Sequence, residues 1–100
     1  MATHTVAKGD LGAHAITLVA NTVETTTFGE DLDEITIVSL DGAAPLYITV
    51  DGRTPTVGGA STRVMPAAIG AVSIDVPTAG NSVVKVISSG TPTISVQRGR

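Results

Sequence analysis

Apolar and polar residues alternate along most of this chain with a period of two, the pattern of strands that bury one face. The clearest run is Leu46-Tyr47-Ile48-Thr49-Val50, where Leu46, Ile48 and Val50 alternate with Tyr47 and Thr49. Asp51-Gly52 breaks that run, because Gly accepts positive φ and Asp bonds its own backbone two residues on. Pro55 follows; it fixes φ, has no N–H for a neighbouring strand and pushes Thr54 to an extended conformation. The same alternation predicts strands over residues 14–20, 22–28, 35–40, 62–65, 71–76, 82–88 and 93–97. In residues 35–40, Ile35 and Ile37 share one face while Val38 and Leu40 share the other, the mark of a central strand covered on both sides. Residues 22–28 are Thr-rich and weakly amphipathic, and are expected at an edge. Asp41-Gly42 signals a hairpin that would make residues 35–40 and 46–50 antiparallel partners. Residues 67–70 are a tight connection, with room for one helical turn. No longer segment has a helical period.

These strands, spaced at about 8–12 residues with Gly or Pro between them, point to an all-β chain: a small antiparallel β-sandwich or barrel of seven or eight short strands. Residues 1–13 are small and polar, and read as an extended N-terminal arm, either frayed or ordered against a neighbouring subunit. Residues 14–97 form the single β-domain, and residues 98–100 are a basic tail.

Composition supports this and narrows the chemistry. Val, Ile and Thr supply roughly 36 of the 100 residues, a β bias. No apolar run approaches the roughly 20 residues of a membrane helix, and no signal peptide is evident, so a protein made and kept in the cytoplasm, or assembled there, is expected. With no Cys, disulfides and thiolate metal sites are excluded. The net charge of −3 argues against a nucleic-acid binder, and Tyr47 and Phe28, the only aromatic residues, provide no stacking platform for bases or sugars.

Candidate chemistry is sparse. Glu30, Asp31, Asp33 and Glu34 form the one carboxylate cluster, but their spacing matches no calcium loop, and a solvated acidic turn is the preferred reading. His4 and His14 have neither further metal ligands nor an orienting partner in sequence, and no nucleophile sits on a recognisable strained turn; a non-enzyme without cofactor or metal is expected. Gly58-Gly59 is followed by no Lys and no helix, and reads as a mobile loop rather than a phosphate cradle. Arg53 and Arg63 flank this loop. Together with Thr54, Pro55, Gly58 and Gly59 they make the candidate docking loop, able to meet acidic residues of another subunit, although two solvated arginines are the slightly preferred reading. Arg98 and Arg100 have the same capacity, or form a plain charged tail.

The stretch Leu46-Tyr47-Ile48-Thr49-Val50-Asp51-Gly52-Arg53-Thr54-Pro55-Thr56-Val57-Gly58-Gly59 resembles small virion proteins of tailed bacteriophages, particularly phages of actinobacteria. The resemblance continues through Val64-Met65-Pro66-Ala67-Ala68-Ile69-Gly70 and Val84-Lys85-Val86-Ile87-Ser88-Ser89-Gly90-Thr91-Pro92, and spans residues 35–96. It implies a structural role in the virion: a capsid decoration (cement) or head-surface protein, present in many copies, homo-oligomeric, with the major capsid protein or other virion proteins as partners. A tail or head–tail connector component is the runner-up. Residues 47–56 also resemble a string in immunoglobulin-like accessory domains of bacterial glycosidases, which implies a sandwich and leaves a carbohydrate- or host-surface-binding module as a third reading.

Overall fold

The computed structural model describes the chain except for residues 1, 31, 42, 43, 52, 61, 68, 69, 77–81 and 100. Among the described residues nine strands are formed: β1 (Ala2–Val6), β2 (Gly12–Thr17), β3 (Glu24–Phe28), β4 (Glu34–Ser39), β5 (Leu46–Thr49), β6 (Arg63–Met65), β7 (Ala71–Asp75), β8 (Val83–Ile87) and β9 (Thr93–Arg98). They build a first sheet in the order β1-β3-β8-β5-β6 and a second in the order β2-β9-β4-β7. The chain is therefore all-β, a small β-sandwich, as its alternation predicts. Every described pairing is antiparallel except β1 with β3, which is parallel.

The antiparallel pairs are nested: β5 with β6, β4 with β7, β3 with β8, β2 with β9. This is one long hairpin folded across two sheets, the wrapping of a jelly roll, with β1 added beside β3. It corrects the hairpin expected between residues 35–40 and 46–50. Strand β4 lies in the second sheet and β5 in the first, so the segment between them crosses from one sheet to the other. Asp41 accordingly serves another role, its Oδ2 accepting the Thr93 N–H at 3.2 Å; Gly42 lies outside the described residues, as do Ala68 and Ile69 of the expected helical turn.

Two further expectations are revised. Residues 2–6 belong to the sandwich instead of to an arm: Val6 is buried, in register with Phe28, and Gly29 N–H donates to the Val6 carbonyl at 2.8 Å. Val6 is the apolar anchor described in this strand, too little to register as alternation. Because β1 covers it, β3 is not an edge strand; Glu24, Thr26 and Phe28 face inward and are buried.

Between the sheets lies an aliphatic core. Ile35, Ile37, Leu46, Ile48, Val84, Val86, Ile94 and Val96 supply it from the central strands, with Phe28 as its aromatic member. Burying each such side chain contributes about 1.5–3 kcal/mol before entropy is subtracted.

The topology sorts the connections between two ends of the sandwich. The chain leaves β2, β4, β6 and β8 at one end, tied there by Leu18 N–H to Pro92 O (2.9 Å), Asn21 N–H to Ser88 O (2.8 Å), Ser39 N–H to Gly70 O (2.9 Å) and Ser88 Oγ to Pro45 O (2.7 Å). The chain leaves β1, β3, β5, β7 and β9 at the other end, where Val76 N–H donates to Asp33 O (2.9 Å), Arg98 N–H to Leu11 O (2.8 Å) and Gly99 N–H to Glu34 O (2.9 Å).

Candidate functional site

The docking loop joins β5 to β6, neighbours in the first sheet, and so closes the tip of the folded hairpin. Three anchors shape it. Thr49 Oγ1, at the end of β5, donates to the Arg53 carbonyl at 2.5 Å, and Arg53 N–H donates to Asp51 Oδ1 at 3.1 Å, an Asx-type turn. The Pro55 ring is fully buried and pins the loop to the body. Gly59 N–H then donates to Thr56 O (2.9 Å), while Thr62 donates to Gly59 O from both its N–H (3.3 Å) and its Oγ1 (2.6 Å). Gly58 has φ of +75°, a value that favours glycine, and Gly59 leaves no room for a Cβ beside Thr56 Oγ1. The segment that the sequence reads as a mobile loop is thus a chain of hydrogen-bonded turns. Gly52 and Ser61 lie outside the described residues.

This framework presents its cations outward. Arg53 and Thr54 are exposed; the Arg53 Nε stands 3.4 Å from Asp51 Oδ2, a solvated pair of small energetic weight. Arg63 opens β6 opposite Ile48 and is also exposed. The two arginines share one end of the molecule, as their spacing around a hairpin tip requires, and neither guanidinium is buried.

The acidic turn and the basic tail lie at that same end and are partly spent on each other. Arg98, the last residue of β9, forms an ion pair with Glu30, whose Oε1 also accepts Gly9 N–H at 3.1 Å. Arg98 is therefore a strut between the second sheet and the turn after β3, not a free tail; Arg100 and Asp31 lie outside the described residues. Among the described residues no three His, Cys, Asp or Glu side chains converge to hold a metal ion.

Both histidines meet partners that sequence spacing does not reveal. His4 Nε2 approaches Glu24 Oε2 at 3.6 Å across the β1–β3 pair. On the outer face of the second sheet, His14 Nδ1 lies 2.5 Å from Ser95 Oγ, to which Gln97 Nε2 also donates at 3.1 Å. A β-bulge between Ala13 and Ile16, with Ala15 at φ 56°, aims His14 there. Ser95 is only 2% exposed, and among the described residues no third group bonds the imidazole, so the pair lacks the access that acyl transfer needs. Neighbouring rows on that face are hydroxylic: Thr36 with Ser73 (3.0 Å) and Thr17 with Thr93 (3.1 Å).

No protein-family model matches the chain, and no curated protein does. Solved structures share its fold at low identity. CBM_E1, a carbohydrate-binding module found in a sugar cane soil metagenome and solved with cellopentaose and gadolinium ion, is 14% identical with a TM-score of 0.57, covering 95% of this chain and 89% of that one. CorA, a surface-associated copper-binding protein of Methylomicrobium album BG8, is 10% identical with a TM-score of 0.55, covering 95% and 96%. PliG, a periplasmic inhibitor of g-type lysozyme from Aeromonas hydrophila, is 17% identical with a TM-score of 0.50, covering 98% of both chains. At these identities the likeness is one of fold, which hosts many functions.

Proposed function

We propose that this chain is a non-enzymatic structural protein of a tailed-phage virion, a capsid decoration or head-surface protein that seats on the major capsid lattice. The resemblance over residues 35–96 supplies the class of partner. The observation that carries the reading is the built loop of residues 50–62, which holds Arg53 and Arg63 outward at the charged end of a rigid sandwich. Such a loop suits repeated docking on acidic patches of a symmetric surface, where modest contacts are multiplied by copy number. Decoration then works by bridging: one domain spans adjacent lattice subunits and resists their separation. A tail or connector component would use the same loop on a different partner.

The test is binding of the purified protein to empty capsids. Replacing Arg53 and Arg63 by Ala together is expected to weaken binding at least tenfold, the scale of about 1.4 kcal/mol. Unchanged binding removes the loop from the interface.

A second reading, a carbohydrate- or host-surface-binding module, rests on the hydrogen-bonding rows around His14, Ser95, Gln97, Thr36 and Ser73. The fold shared with CBM_E1 is compatible with it. The scarcity of aromatic residues weighs against it, and a flat response on a glycan array eliminates it.

A further inference from the structure

The register of the first sheet assigns its outer face. Leu46 and Ile48 of β5, Val84 and Val86 of β8 and Met65 of β6 belong to the core, so Tyr47, Thr49, Lys85, Ile87 and Val64 point the other way. Tyr47 is the register partner of Val64 on one side and of Ile87 on the other. These three side chains therefore form one row across three strands, about 10 Å from end to end. Val64 is 55% exposed and Tyr47 half-buried, while Ile87 is buried without belonging to the core cluster. The next row holds Thr49 and Lys85. Thr49 points outward and is nonetheless buried, because its hydroxyl donates to the Arg53 carbonyl. The docking loop thus begins by folding onto this face, close to Tyr47. Arg63 precedes Val64 at the edge of the sheet. Among the described residues the five strands present no Asp or Glu on this face, whereas the outer face of the second sheet carries Glu34 opposite Asp75.

We propose that the row centred on Tyr47 is the apolar half of the docking interface, and that it takes an apolar spot ringed by carboxylates on the same lattice partner that Arg53 and Arg63 meet. Resting on the docking reading above, this face supplies the contact energy that the arginines do not. Exposed cations steer an acidic partner and select it, but each solvated pair contributes little. Affinity concentrates in aromatic and Arg anchors near the centre of a contact, surrounded by neighbours that exclude water. Tyr47, the only Tyr of the chain, has that position: its ring stands between two aliphatic side chains, beside the segment that carries Arg53. A Tyr side chain also offers a large contact area at low cost in conformational entropy. The sign of the surrounding charge sets the sign of the partner. Arg53, Arg63 and Lys85 border the row, and Asp51, the carboxylate of the loop, is paired with Arg53. A nucleic acid is a poorer occupant, since one ring makes no run of stacking platforms and the chain has a net charge of −3.

Binding of the purified chain to empty capsids tests this face. Hydroxyl-radical footprinting reads it on the unaltered chain: Tyr47 and Val64 are expected to lose labelling when capsids are added, while Leu40, which follows β4 of the second sheet, keeps its own. Tyr47→Ala and Val64→Glu should each weaken binding by roughly tenfold or more, the scale of an interface anchor. Tyr47→Phe, which keeps the ring, should bind nearly as the parent does, and Leu40→Glu, at a position as exposed as Val64, should bind as the parent does. Tyr47→Ala should also leave the salt dependence of binding intact, whereas replacing Arg53 and Arg63 flattens it. Capsid binding with Tyr47 and Val64 still fully labelled, or unweakened by Tyr47→Ala and Val64→Glu, overturns this inference and leaves docking through the arginines standing. No binding of the unaltered chain overturns both. Because footprinting needs no substitution, the answer survives a variant that fails to fold.

Discussion

Gly12 shows how a residue's reason for being is hidden in the sequence. In sequence it is one more residue of the small, polar stretch 1–13, yet it opens β2 opposite Gln97, and a Cβ there would collide with the Val96 carbonyl oxygen and stand 2.8 Å from Gln97 Cα. Both obstacles are backbone and cannot swing away. Gly12→Ala is therefore expected to open that end of the β2–β9 pair and to cost about 1–3 kcal/mol, read as a lower urea midpoint. Ala15 gives the opposite sign. Its φ of 56° is the left-handed conformation, which costs an L residue about 1–2 kcal/mol, partly offset in a glycine by greater chain entropy. Ala15→Gly should leave stability equal or raise it by up to about 1 kcal/mol, read as an equal or higher urea midpoint. Midpoint loss in that variant would mean that the bulge depends on the Ala15 methyl. Of the docking loop, the turn chemistry of Asp51 and the exposure of Arg53 and Arg63 were legible. The burial of Pro55 and the hydrogen bonds of Thr49 and Thr62 were not, because they depend on what the loop folds against.

At the scale of elements, alternation named the inward residues Leu46 and Ile48 of β5 and placed β4, β5, β8 and β9 within a residue or two. For β4 the expectation of cover on both faces is corrected: Ile35 and Ile37 are buried in the core, but Val38 is half-buried and Leu40 exposed, because the outer face of the second sheet carries no further layer among the described residues. Alternation could not name the partners of these strands. A period of two says which side chains share a face and nothing about which strand lies alongside, so residues 35–40 and 46–50 were paired as a hairpin although the nested topology sends them to different sheets. The same limit hid β1. Its buried apolar anchor, Val6, is too weak a pattern to see, but its backbone completes the edge of the first sheet. Removing residues 1–7 should therefore lower stability by about 2 kcal/mol or more, through loss of Val6 from the core beside Phe28 and of the β1–β3 ladder. It should also promote aggregation through the newly open edge of β3. An unaltered unfolding midpoint in the truncated chain would show that β1 adds nothing to the fold.

For the molecule as a whole, the fold has a functional consequence that neither residues nor strands reveal alone. Jelly-roll wrapping gathers alternate connections at opposite ends, and most of the charged residues whose placement is described lie at the end that carries the docking loop, with Asp41 and Glu24 at the other. Arg98 and Glu30, far apart in sequence, meet because both belong to the charged end. The central claim is that this charged end, through the loop bearing Arg53 and Arg63, seats many copies on a capsid. The most direct measurement is the location and stoichiometry of the protein in purified virions, by quantitative mass spectrometry with cryo-electron microscopy of the same particles. Density for the sandwich on the head surface, in a copy number near that of the major capsid protein and with the loop facing the lattice, is the predicted result. A handful of copies per particle, a location confined to the tail, or no protein in the virion would contradict it.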